Sequence, residues 1–66
     1  MTKYQVGEQL EHKVMGTVFT IKSVTEFESG QVGYELVTDA ADVPDFVQPL
    51  RRFEKEVDWD FERVQQ

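Results

Sequence analysis

The chain contains no cysteine and only one histidine, His12. Disulfide staples and thiolate metal sites are therefore excluded, and one imidazole cannot form a cluster. Its four glycines fall into neither Gly-x-Gly-x-x-Gly nor Gly-Lys-Ser/Thr, so a phosphate-cradling loop is absent. No apolar run approaches the roughly 18 residues of a membrane span. Met1-Thr2-Lys3-Tyr4 leads into polar residues instead of a signal-peptide core, and the expectation is a cytoplasmic protein without membrane contact. Basic residues are scarce: seven Lys and Arg face thirteen Asp and Glu, a net charge of -6. Sequence-independent binding to a phosphate backbone, which needs cations to displace counterions, is disfavoured.

What remains is apolar and aromatic. Five Phe, two Tyr and one Trp among 66 residues, 39% of them hydrophobic, suffice for one small core, so the chain reads as a single domain held by packing alone. No repeat or low-complexity tract divides it.

Gln9 to Val14 alternates mildly and is followed by Gly16, the grammar of a strand and turn. Residues 17–24 are β-branched and aromatic with apolar side chains on both alternation faces, a second strand. After the polar turn ending at Gly30, residues 31–38 place Val32, Tyr34 and Leu36 on one face and Glu35 on the other, completing a hairpin. Asp39 to Asp45, with Pro44, breaks the pattern into a connection. Beyond it two templates compete. Leu50, Phe53, Val57, Phe61 and Val64 recur at helical spacing, with Pro49 suited to a helix start. Val57, Trp59 and Phe61 also alternate with Asp58, Asp60 and Glu62 as in a half-buried strand. The preferred reading is a short helix near 49–56 and a closing strand near 57–62; the alternative is one longer helix continuing through 57–64. Trp59 separates them, being core in a strand and exposed in the helix. The fold class expected is mainly β, a small SH3-like barrel or a strongly bent antiparallel sheet with a short C-terminal helix.

The order Val6-Gly7, an alternating segment with His12-Lys13, then Gly16-Thr17-Val18 and a strand through Ile21 and Val24 resembles the start of small SH3-like barrels. It is most similar to the Tudor-like domain of some bacterial DNA helicases, or to KOW-type modules. Glu8 replaces the aspartate frequent there, and Gly16 stands alone where the pattern has Gly-x-Gly. The resemblance covers residues 6–24 and implies a binding module, usually for protein and sometimes for nucleic acid, without catalysis.

Candidate sites follow by elimination. His12 has no second histidine or suitably spaced nucleophile, and the serines and threonines have no adjacent base, so no catalytic residue is expected. Asp58, Asp60 and Glu62 would share one face of a strand, but they lack the glycine turn and spaced oxygens of a calcium loop, so neither metal nor cofactor is expected. Trp59, Arg51 and Arg52 are residue types favoured at binding hot spots. A lone Trp in so small a chain is more often core, and the arginines can simply offset neighbouring carboxylates.

Two functions are consistent with these residues. One is a non-enzymatic adaptor or regulator that binds another protein, anchored by Trp59, Arg51 and Arg52. The other is an acidic inhibitor or DNA mimic. Eight acids from Asp39 to Glu62, against Arg51, Arg52, Lys55 and Arg63, would then let Asp58, Asp60 and Glu62 occupy a basic groove. So small a chain also suits a bacterial or phage protein.

Overall fold

The computed structural model describes residues 2–64. Strands β1 (Gln9–His12), β2 (Val18–Glu26), β3 (Val32–Val37), β4 (Leu50–Phe53) and β5 (Phe61–Arg63) are joined by turns, by a 3-10 turn at Asp45–Val47 and by helix α1 (Glu54–Asp60). All neighbouring strands are antiparallel in the order β4-β3-β2-β1-β5. The sheet curls into a half-barrel, mainly β with one short C-terminal helix. No helix among the described residues is long and apolar enough to cross a membrane.

The two-sided apolar pattern of β2 has a specific cause. Ile21 pairs with Leu36 but Ser23 pairs with Glu35, so Lys22 is an extra residue forming a β-bulge. The bulge shifts side-chain parity by one. Phe19 and Ile21 before it are core residues, and Val24 after it also packs against the core. The bend lets β2 serve both halves of the sheet, pairing with β1 over Val18–Thr20 and with β3 from Thr20 onward.

In the β1–β2 turn, Gly16 adopts φ +74°, which a side chain disfavours. His12 Nδ1 accepts hydrogen bonds from the N–H groups of Val14 and Met15 at 3.2 and 3.1 Å, and its ring meets Phe61 edge-on at 5.1 Å. The histidine is a turn fastener.

The core comprises Tyr4, Leu10, Phe19, Ile21, Tyr34, Leu36, Val57 and Phe61. As the hairpin pattern implies, Tyr34 and Leu36 point inward with Val32 packed beside them, and Glu35 is on the other face. Two tyrosine hydroxyls help tie the N-terminal segment to α1. The Tyr4 hydroxyl donates to Asp58 at 2.6 Å, and the Tyr34 hydroxyl donates to Glu54 while accepting the Tyr4 N–H at 3.1 Å.

The C-terminal elements differ from the expected helix near 49–56 and strand near 57–62. Residues 50–53 form a strand because β3 offers an open edge, on which Leu50 pairs with Leu36 and Phe53 with Gly33. The helix begins only at Glu54, with the Glu56 carboxylate accepting the Phe53 N–H at 2.9 Å and two acids in the first turn favouring the helix dipole. It ends at Asp60 because Phe61–Arg63 pairs with His12–Leu10 of β1. The single longer helix is likewise excluded. Trp59 lies on α1 and is 74% exposed, so it is not a core residue.

Candidate functional site

The outer face of β2, β3 and β4 carries an apolar groove. Register sets its rows: Thr25, Gly33 and Phe53 lie opposite one another across the three strands, and Ser23, Glu35 and Arg51 form the next row. Gly33 leaves the middle strand without a side chain at this point. The Phe27 ring fills the space from the adjoining turn, so that a Cβ added at Gly33 would lie 3.0 Å from Phe27 Cε2. Phe27 meets Phe53 edge-to-face with centroids 5.9 Å apart. The rings are 46% and 45% exposed. They wall a groove of about 380 Å³ whose rim is formed by Glu35, Arg51, Arg52 and Glu56.

The charges beside the groove are unequally satisfied. Glu35 accepts the Ser23 hydroxyl at 2.6 Å and Arg51 Nε at 2.9 Å, and these bonds, the serine's first, hold its carboxyl below the usual range. Arg52 Nη1 donates to the Arg51 carbonyl at 2.6 Å. Among the described residues Arg52 has no carboxylate within ion-pair distance. The groove thus offers apolar aromatic area with one unbridged guanidinium at its margin.

Of the residues singled out from sequence, Arg51 and Arg52 lie at this groove; Trp59 does not line it. Asp58, Asp60 and Glu62 do not share one strand face, since the first two are helical and Glu62 is on β5. Asp58 is engaged by Lys3 Nζ at 2.9 Å and by the Tyr4 hydroxyl, which hold its carboxyl below the usual range. Asp60 and Glu62 are exposed, and Glu62 sits directly opposite Glu11 of β1. The described residues contain no group of three potential ligands able to hold a metal ion.

Sequence reasoning missed Phe27 and Phe53 as a pair. One was absorbed into a polar turn and the other into a helical stripe. The available signal was Gly33 inside a strand, which marks a close approach by another group. A second, smaller cavity of about 260 Å³ lies between the turn after β1 and the segment before β4, lined by Met15, Phe19, Val43, Val47, Leu50 and Arg52 among others.

No family model, curated protein or solved structure matches the chain.

Proposed function

We propose that this protein is a small, non-enzymatic interaction module of the cytoplasm, an SH3-like barrel that binds another protein through the Phe27–Phe53 groove. The observation that carries this reading is the exposed edge-to-face aromatic pair beside Arg51 and Arg52. Neither ring belongs to the core, and aromatic and arginine side chains clustered around a pocket are the common chemistry of binding hot spots. The five-stranded curled sheet, with its first strand paired to both second and last, supports the barrel reading together with the resemblance over residues 6–24.

The test is affinity capture with the full chain and its Phe53→Ser variant. Serine at this position removes the ring but supplies a good N-cap for α1, so folding is retained. Loss of a hot-spot aromatic is expected to weaken binding by about 2 kcal/mol or more, roughly 30-fold. The module reading is overturned if the captured protein binds the folded Phe53→Ser variant unchanged.

One observation favours the acidic-mimic reading as the alternative. Glu11 and Glu62 oppose each other directly, a destabilising like-charge pair, with exposed Asp60 preceding Phe61 in the chain. In that case capture is lost on added salt and in an Asp60→Asn, Glu62→Gln double variant, while Phe53→Ser has no effect.

A further inference from the structure

The outer edge of β4 borders the groove, and two of its outward backbone groups are occupied by local side chains. Pairs in an antiparallel ladder alternate, so every second residue directs both its N–H and C=O away from its neighbour. On β4 these are Arg51 and Phe53. The Arg51 carbonyl accepts Arg52 Nη1 at 2.6 Å, and the Phe53 N–H donates to Glu56 Oε1 at 2.9 Å. Both bonds are at the surface, and exchanging them for backbone bonds costs little.

We propose that β4 accepts an extended segment of a partner protein as a sixth strand, one that alternates apolar and acidic side chains. This rests on the groove being the binding face. The alternation follows from the two faces of β4. Arg51 and Phe53 lie on the outer face, where Arg51 is already bridged to Glu35 at 2.9 Å and the open surface is aromatic. A segment residue on that side meets the Phe53 ring, which packs on Phe27 over Gly33, and is apolar. The next residue lies on the side of Leu50 and Arg52, which border the second cavity. In an antiparallel pairing the residue opposite Arg51 donates its N–H to the Arg51 carbonyl in place of Arg52, and the released guanidinium, which has no carboxylate partner among the described residues, takes the acidic side chain of the neighbouring residue opposite Arg52.

The test uses a short synthetic peptide of alternating valine and aspartate, with the isotope-labelled full chain observed by NMR. Binding is expected to slow amide exchange at Arg51 and Phe53 at least tenfold and to shift the Phe27 and Phe53 ring signals. Methylating alternate peptide nitrogens abolishes the protection, and Arg52→Glu weakens binding at least tenfold. Three results overturn the proposal: ring shifts without amide protection, equal binding by a valine–lysine peptide, or no binding by the valine–aspartate peptide. The first leaves the groove as a docking face and removes only strand addition; the last is distinguishable from failure of the module itself by the Phe53→Ser capture experiment.

Discussion

Raising the pH tests the polar links between the N-terminal segment and α1. The chain has two tyrosines, both core residues whose hydroxyls donate to carboxylates, Tyr4 to Asp58 and Tyr34 to Glu54. Burial, followed by these bonds, pushes the Tyr34 phenol up to about 12 from its ordinary value near 10, and the same causes raise Tyr4. Because the folded state holds these protons more tightly than the unfolded chain, the stabilisation is complete below about pH 10 and lost as pH rises beyond it. Two pH units correspond to about 3 kcal/mol for Tyr34 alone, and Tyr4 adds to that. A domain of this size has a total stability on the order of 3–10 kcal/mol. The expected outcome is cooperative alkaline unfolding, with the phenolate absorbance of both tyrosines rising together with loss of the sheet's circular dichroism. Tyr34→Phe should also cost about 1–3 kcal/mol by denaturant melt, since the buried Tyr4 N–H loses its acceptor. Phenolate appearing near pH 10 while the sheet signal persists would refute the buried, carboxylate-bonded placement of both rings.

Two substitutions at large hydrophobics should behave oppositely. Leu36→Ala removes a side chain with no exposed surface and is expected to destabilise by about 2–5 kcal/mol, whereas Trp59→Ala, on the solvent side of α1, should change stability by less than about 0.5 kcal/mol in the same urea titration. Gly33→Val crowds the Phe27 ring, 3.0 Å from an added Cβ, and displaces it. The expected result is a change in the Phe27 and Phe53 ring signals by NMR with the β3–β4 register retained; unchanged ring signals would contradict the groove geometry.

The hairpin was legible because Tyr34 and Leu36 alternate cleanly with Glu35 and the buried face has no competing pattern. The apolar residues on both faces of β2 were visible too, but a bulge at Lys22 cannot be placed without knowing that Ser23 pairs with Glu35. For residues 50–63 each template caught part of the outcome: Val57 is buried on a helix and Phe61 is buried on a strand. The choice was made by distant partners, the open edges of β3 and β1, which local spacing does not encode. The same holds for the groove. Arg51-Arg52 stands out in the sequence, but only strand register sets Phe53 beside Gly33 and gives the two arginines opposite faces.

The pairing of β1 with β5 also governs how the chain acquires its structure during synthesis. Leu10–His12 waits for Phe61–Arg63, some fifty residues later in the chain. Until Phe61 has left the ribosome, β1 lacks one neighbour and the core lacks one of its aromatic members. A nascent chain halted before that residue carries a hairpin with an uncovered apolar face. Complete folding therefore waits for the synthesis of β5, and truncation before Phe61 should yield a protease-sensitive, aggregation-prone fragment instead of a smaller version of the domain.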